Sequence, residues 1–359
     1  MDYSFRGVIC PKEEANVFCW GVKSAKAPLE RLYFKVPLNK DEVRIKVLNT
    51  GLCHSDCFKI DEEWGKNHVF PLVPGHEIVA EVEDVGPDIT KFKPKDQVCF
   101  GVFRDCCGSC AACKRGDDQL CNGCSYKPTY DPYLGGYSSH MHVKESFLFK
   151  MPEKLDRKRA APIMCAGVTV FAPLKRWGKE GMRCGVIGIG GLGHMAVQMA
   201  AKLGMHVVAI SGSPDKEPEV KKMGAKEFID SKNEADMKRI STKEQLDIVV
   251  NTAMLLDITN YMNTLRAGGC FVQVAVPSVE TPVKFSNIDL VVNQKMLVGS
   301  AVGSRKEVQE TLDFCADNDV HPIVENYKWA EFPTAYQRLY ESKAKYRCVV
   351  DTADTFDNL

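Results

Sequence analysis

The run Val186-Ile187-Gly188-Ile189-Gly190-Gly191-Leu192-Gly193-His194 leaves few folds open to this chain. Gly188, Gly190 and Gly193 keep the G-x-G-x-x-G spacing, and Gly191 is an additional glycine. The apolar residues from Cys184 to Ile187 precede it and read as a buried strand. Ala196, Met199, Ala200 and Leu203 follow at i, i+3, i+4 and i+7, a helical stripe that Gly204 is placed to end. Strand, glycine turn and helix is the context in which this spacing binds a dinucleotide. The first glycine permits the tight turn and the second lets backbone approach a pyrophosphate. The third lets helix and strand pack closely, and the helix N-terminus presents its free N–H groups. A tight turn that binds nothing is the alternative.

The pattern around this run divides the chain. Up to about residue 155 it reads as β-rich: Val43, Ile45 and Val47 alternate with Arg44 and Lys46, and Ile78 to Val85 is a second strand. Pro71, Pro74, Gly75, Gly86, Pro87 and Pro94 cut this part into short strands and loops. From about 156 the period changes, with a helix expected over Ala160–Lys175. Strands are then expected at Cys184–Ile187, His206–Ser211, Glu227–Ile229, Leu246–Asn251, Cys270–Ala275 and Met296–Ser300. Strands alternating with helices make a doubly wound parallel sheet, an α/β fold. Helices over Lys306–Asn318 and Pro333–Ser342 and a strand over Arg347–Asp351 close the chain. Its 359 residues suit two domains.

Lys and Arg number 47 and Asp and Glu number 47, so neither nucleic acid nor a charged membrane surface is implied as partner. No apolar run reaches the ~18 residues of a spanning helix. The N-terminal residues lack the apolar core of a signal peptide, and a cytoplasmic location is the default. In that setting 16 cysteines suggest metal or chemistry rather than disulfides. Cys107, Cys110, Cys113 and Cys121 follow C-x2-C-x2-C-x7-C, four thiolates able to close one tetrahedral structural zinc site. Gly108 and Gly116 let the chain turn around the ion; Cys106 and Cys124 are left outside the set. A second group is dispersed: Cys53 in Cys53-His54-Ser55-Asp56, His76 in Gly75-His76-Glu77, and Cys165. Two thiolates and an imidazole would leave an open position on a catalytic zinc. Each residue taken alone reads equally well as core.

Together, these residues resemble the zinc-dependent medium-chain alcohol dehydrogenases, nearest the cinnamyl alcohol dehydrogenase class. The segments Cys165-Ala166-Gly167-Val168-Thr169, Pro173-Leu174-Lys175, Gly299-Ser300-Ala301-Val302-Gly303-Ser304 and Tyr346-Arg347-Cys348-Val349-Val350-Asp351 extend the likeness along nearly the whole chain. The resemblance implies a GroES-like catalytic domain, residues 1–157 and 302–359, split by a Rossmann domain, residues 158–301. It implies that Cys53, His76 and Cys165 hold a catalytic zinc, and that Glu77 is the adjacent carboxylate able to take the open position. Two zinc ions per chain and a homodimer joined through the Rossmann sheets follow from it as well. The implied reaction is hydride exchange between a primary alcohol or aldehyde, aromatic or allylic, and a nicotinamide. Ser55 takes the alcohol proton and His54 lies near the cofactor. Relatives carry a relay histidine five residues after the zinc cysteine, and here Phe58 stands there. That departure keeps open an NADPH reductase of an imine or activated alkene and a non-enzymatic zinc- and NADPH-binding protein; a polyol dehydrogenase is a further alternative that the four-cysteine lobe and the Cys53/Cys165 pair fit less well.

The choice of nicotinamide is written at the end of the second strand. NAD sites place Asp or Glu there, about 20 residues after the glycines, to hold the ribose. Here Val207-Val208-Ala209-Ile210 runs into Ser211-Gly212-Ser213-Pro214-Asp215-Lys216. Ser211, Ser213 and Lys216 suit a 2′-phosphate, and the segment is similar to the serine-rich turn of NADP-dependent relatives. Asp215 follows Pro214 and is expected to point away. NADP(H) is therefore the expected cofactor. Thr169, Gly188, Gly190, Gly191, Leu192, Gly193, Thr252, Ser300 and Val302 complete the cofactor-binding set that the resemblance implies.

Overall fold

The structure is a computed structural model that describes residues 7–66, 70–121, 134–276 and 282–352. The chain forms two compact units, one of residues 1–165, 304–317 and 321–359 and the other of residues 166–303 and 318–320. Cys124 lies outside the described residues.

The second unit is built on a parallel six-stranded sheet. In chain order its strands are Arg183–Ile187, His206–Ser211, Glu227–Asp230, Leu246–Asn251, Leu265–Gln273 and Met296–Gly299. They lie side by side as third, second, first, fourth, fifth, sixth, the doubly wound order whose switch point falls beside the first strand. Val208, Ile210, Ile229, Val249 and Phe271 are fully or nearly fully buried in one cluster, as parallel strands covered on both faces require. The fifth strand starts at Leu265, five residues earlier than the apolar run at Cys270 suggests, because it carries Gly268 and Gly269 inside it.

In the first unit the strand Glu42–Leu52 is the organiser. Val43, Ile45 and Val47 point into a core with Ile78, Ala80, Val82, Val98 and Phe100. The alternation ends at a register shift between Val47 and Asn49. Beyond it Asn49, Thr50, Gly51 and Leu52 are all buried, so the strand runs further than its alternation announces. The strand Arg347–Asp351 pairs antiparallel with it, Val349 opposite Gly51. This joins the C-terminal segment to the N-terminal part of the unit in one sheet. Short strands at Val17–Gly21, Glu30–Lys35, Gln97–Phe100 and His140–Lys144 also belong to this unit. They are too short and too mixed to show a period in sequence.

The helix expected over Ala160–Lys175 is instead three pieces. Arg157–Ala160 is helical, Ala161–Met164 is a 3-10 turn and Ala166–Trp177 is the main helix. Pro162 removes an N–H from the ladder, and Cys165 falls in the break with φ −124° and ψ −72°. The interruption turns a core position into a side chain directed away from a helix ladder.

The amino ends of the first three parallel strands share one carboxylate. Glu227 accepts from Arg183 Nη1 at 2.7 Å and faces His206 Nε2 at 2.5 Å and Arg239 Nη1 at 3.4 Å. The Arg183 hydrogen bond leads the interactions that hold its pKa down to about 2, below the ordinary 4.5. A depressed carboxylate pKa adds stability above the unfolded value that is lost as pH falls through the folded one. Glu227→Gln should therefore lower Tm at pH 7, and its deficit should shrink as pH falls from 4.5 toward 2. Thermal melts across that window check this; an unchanged deficit at all pH values refutes the assignment.

Candidate metal centres and cofactor loop

Cys53, His76, Glu77 and Cys165 come together, their ligand atoms all within 4.8 Å of one another. Cys53 ends the Glu42–Leu52 strand and is the N-cap of the helix His54–Ile60. His76 and Glu77 precede the strand Ile78–Val85, and Cys165 comes from the break after Pro162. Cys53, His76 and Glu77 are buried and Cys165 is partly buried. Hydrogen bonding from Cys165 pulls the Cys53 thiol well down against the opposing effect of burial, helped by the charge of Arg347. The Cys165 thiol is pushed up by the same hydrogen bond and by burial. One sulfur is thus already biased toward the thiolate that a metal needs.

Asp56 orders this group. Its Oδ1 accepts the Gly75 N–H at 3.0 Å and faces His76 Nδ1 at 3.0 Å. Its Oδ2 accepts the Tyr137 hydroxyl at 2.7 Å and the Cys53 N–H at 3.3 Å. With Nδ1 donating to a carboxylate, Nε2 is left as the lone-pair donor, the outer support of a zinc histidine. Burial lowers the His76 pKa, but the charge and hydrogen bond of Asp56 overcome it and push the value up to about 10. Gly75 has φ +106°, and a Cβ there would sit 2.6 Å from the Tyr137 nitrogen, so no other residue fits beside the ligand.

Glu77 is held by Arg347, whose Nη2 donates to Oε1. Its other oxygen, Oε2, is buried and has no hydrogen-bond partner. A buried carboxylate oxygen left unpaired is costly unless a cation completes it, and Glu77 belongs to the same group of ligand residues. The donor set fits zinc: two sulfurs, one imidazole and a carboxylate oxygen in reserve. A Cβ on Gly51 would run into this carboxylate, so the strand must carry glycine there.

The second sulfur cluster is Cys107, Cys110, Cys113 and Cys121, again with all ligand atoms within 4.8 Å. Cys107 and Cys121 are 3.5 Å apart, Cys110 and Cys121 3.9 Å, and Cys107 and Cys113 4.0 Å. A tetrahedron of sulfurs about 2.3 Å from zinc has edges of about 3.8 Å, so the set fits that ion. Backbone N–H groups of Ser109 and Cys110 lead the interactions that lower the Cys107 pKa to about 6. Gly108 and Gly116 have φ +69° and +84° with open space at their Cβ positions, so conformation alone calls for glycine. Asp118, close behind the helix Ala111–Arg115, binds Arg305 Nε at 3.0 Å and anchors the lobe to the C-terminal segment.

In the other unit the glycines divide the labour expected of them. Gly188 has φ +81°. Gly190 has nothing within 4 Å of its Cβ direction, the open face a phosphate needs. A Cβ on Gly193 would run into the Gly188 carbonyl. Gly191 and Leu192 continue the turn, and the helix begins at Gly193. The Thr252 hydroxyl lies 2.9 Å and 2.7 Å from the carbonyls of Ile187 and Gly188 and braces the turn. Ser211 is buried at the end of the second strand, and its Oγ accepts the Ser213 N–H at 3.3 Å. Lys216 reaches back to the glycine turn, donating to the Ile189 carbonyl at 2.7 Å, and Asp215 is exposed. Ser300 donates its N–H to Gln273, and Val302 adopts φ +51°, unusual for a β-branched residue. Thr169 is buried in the helix Ala166–Trp177.

Residues 39–153 match the alcohol dehydrogenase GroES-like domain and residues 191–317 the zinc-binding dehydrogenase domain. A cinnamyl alcohol dehydrogenase of Capsicum annuum is 36% identical, over 87% of this chain and 89% of its own length. A protein of Medicago sativa named probable mannitol dehydrogenase is 35% identical over 96% and 97%. The crystal structure of CAD from Helicobacter pylori complexed with NADP(H) superposes with a TM-score of 0.86 at 31% identity, covering 95% and 99%. The chain belongs to the zinc-dependent medium-chain alcohol dehydrogenases, close to the cinnamyl alcohol dehydrogenase class.

Within this family frame, two residues of the metal centre carry roles that sequence reasoning did not assign: Asp56 as hub and Arg347 as partner of Glu77. Asp56 stood inside the quoted Cys53 motif, but nothing in a single sequence ties it to Tyr137, 81 residues away. Phe58 turns toward aromatic neighbours, its ring 5.3 Å from Trp64 and 6.3 Å from His54. His54 Nε2 is 3.3 Å from Ser342 Oγ.

Asp56→Asn should keep the fold but turn a donor toward groups that are themselves donors. Zinc affinity at the Cys53 centre should drop by about 10–100-fold. Competition with a chromogenic chelator measures this, and unchanged release of that ion counts against the hub.

Proposed function

We propose that this enzyme interconverts primary alcohols and aldehydes of aromatic or allylic type with NADP(H). One observation carries this: the Cys53, His76 and Cys165 donors meet a carboxylate oxygen of Glu77 in the same chain as a dinucleotide-type glycine turn. The names of the Capsicum and Helicobacter relatives support the substrate class and NADP(H). The strand end at Ser211, which lacks a carboxylate, supports it independently.

Cys53, His76 and Cys165 would hold a zinc ion, which would supply Lewis acidity toward an aldehyde or alcohol oxygen, and a nicotinamide would supply the hydride chemistry. Asp56 fixes the His76 ring. Glu77 and Arg347 form a buried charged pair that leaves one carboxylate oxygen free for the open position. Ser55 Oγ, 3.5 Å from Cys53 Sγ, holds the hydroxyl proton of the substrate. Phe58 has no atom that carries a proton, so the proton leaves Ser55 by a route other than side chain 58. Gly188, Gly190, Gly191, Leu192 and Gly193 cradle the pyrophosphate, and Thr169, Ser211, Ser213, Lys216, Thr252, Ser300 and Val302 surround the rest of the cofactor.

The second zinc, at Cys107, Cys110, Cys113 and Cys121, is structural in this proposal. Cys110→Ser should lower stability, because metal binding there is folding free energy, whereas Cys165→Ser should abolish turnover and spare the fold. Metal content, melting and NADPH oxidation with cinnamaldehyde, benzaldehyde and short aldehydes read both variants. Mannitol, an imine and an activated alkene complete the substrate panel. Fewer than two zinc ions per chain, or equal effects of the two substitutions, refute the division of roles. Turnover restricted to mannitol, imine or alkene refutes the substrate class, and no turnover at all marks a binding protein.

Cofactor preference rests on charge at the strand end. Ser211→Asp should repel a 2′-phosphate and accept hydrogen bonds from the NADH ribose, reversing the preference. Comparing kcat/KM for both cofactors tests it, and a wild-type preference for NADH overturns the assignment.

A homodimer and a cytoplasmic location complete the proposal. The sixth parallel strand is one of the two edges of its sheet among the described residues, with Met296 half-exposed and Ile288, Val291 and Val292 of the neighbouring helix 68%, 76% and 69% exposed. Exposed apolar side chains beside an open edge suit a second copy. Val291→Glu should yield a monomer in light scattering; a wild-type protein that is already monomeric refutes the dimer. No helix among the described residues is long and apolar enough to cross a membrane.

A further inference from the structure

Side chains hold the glycine turn by its carbonyls, one after another along the chain. The Thr252 hydroxyl faces those of Ile187 and Gly188, and Lys216 Nζ donates to that of Ile189. The next carbonyl, of Gly190, accepts twice from a single residue. The His194 backbone N–H donates to it at 3.1 Å and the His194 ring Nδ1 lies 3.0 Å from it. A carbonyl can only accept, so Nδ1 carries the ring proton. The His194 side chain is fully buried in the first turn of the helix Gly193–Lys202. Burial pushes its pKa down to about 4, against the opposing hydrogen bonds with the backbone of Gly190 and Gly191, so the ring is neutral at physiological pH. A buried imidazole is costly unless its N–H is matched, and here the match is made on the turn itself.

The peptide so held is one that the sequence leaves loose. Gly190 and Gly191 are consecutive glycines, with no side chain to limit their backbone angles. In a trans peptide the carbonyl of one residue and the N–H of the next point in opposite directions. With the Gly190 carbonyl drawn to His194, the Gly191 N–H faces away from the helix. No acceptor meets that N–H among the described residues. We infer that His194 is a positioning residue for the cofactor pyrophosphate, its ring donor fixing the Gly190–Gly191 peptide so that the Gly191 N–H is presented before any cofactor arrives. This rests on the dinucleotide reading of the turn. Without the ring donor the backbone bond from residue 194 remains, as in any first helical turn, but the peptide keeps a freedom that binding must then remove. The effect is the same for both nicotinamide cofactors, because the pyrophosphate is common to them.

The test is calorimetric titration of the zinc-loaded, full-length protein with NADPH, NADH and adenosine, which has no phosphate. His194→Leu fills the same space without a donor. It should weaken NADPH and NADH alike by about fivefold and change adenosine by less than about twofold. The retained adenosine affinity shows that the unit is folded. His194→Asn carries an amide nitrogen at the same remove from the backbone as Nδ1 and should recover most of the loss. Hydrogen exchange of the cofactor-free protein gives a readout independent of binding: the amides of residues 190–193 should exchange faster in His194→Leu and as in wild type in His194→Asn. Unchanged dinucleotide affinity or unchanged exchange in His194→Leu, an equal loss of adenosine, or no recovery in His194→Asn overturns the role of His194 and leaves the dinucleotide reading intact. Wild-type protein that binds neither NADPH nor NADH overturns both.

Discussion

A carboxylate with no access to water is stable only where donors surround it, and Asp56 is such a group, fully buried. It gathers the N–H groups of Cys53 and Gly75, the ring of His76 and the hydroxyl of Tyr137. Those partners come from a helix cap, a loop before a strand and a distant loop. Two of the three proposed zinc ligands are thus positioned through one side chain that does not itself belong to the proposed ligand set. The arrangement also explains the crowding around it: Gly75 is required because Tyr137 must come close enough to donate.

The third ligand depends on a different device. Cys165 owes its position to Pro162, which interrupts a stretch that otherwise has helical spacing. The fourth group, Glu77, depends on the end of the chain. Arg347 opens the strand that pairs with Glu42–Leu52, so the proposed metal centre is complete only once residues about 300 apart in sequence have joined one sheet. Buried charge pairs of this kind add little net stability on their own, but removing one partner leaves the other uncompensated. Arg347 therefore binds the assembly of the split unit to the chemistry of its centre.

The two units follow different rules of organisation. The parallel sheet is set by local pattern: buried apolar strands separated by helices, glycines at the turn, and an order fixed by right-handed crossovers. Its strand limits could be read closely, from Arg183–Ile187 through Met296–Gly299, with the fifth strand the exception. The β-rich unit is set by long-range pairing. Its short strands, such as Gln97–Phe100 and His140–Lys144, carry too few residues to show alternation, and their places are decided by the partners they meet.

Sequence by itself determined the glycine turn and the four-cysteine lobe, because each depends on residue type and near spacing, whereas the dispersed Cys53, His76, Glu77 and Cys165 were reached through the family resemblance. The required geometry at Gly188, Gly108 and Gly116 is local, a positive φ that only the residue itself decides. Tertiary structure alone decided what holds those groups in place. The role of Asp56 needs Tyr137 and that of Glu77 needs Arg347. Hydrogen bonds and packing act over a few ångströms of space, and no spacing along a single chain records which distant residues will share them.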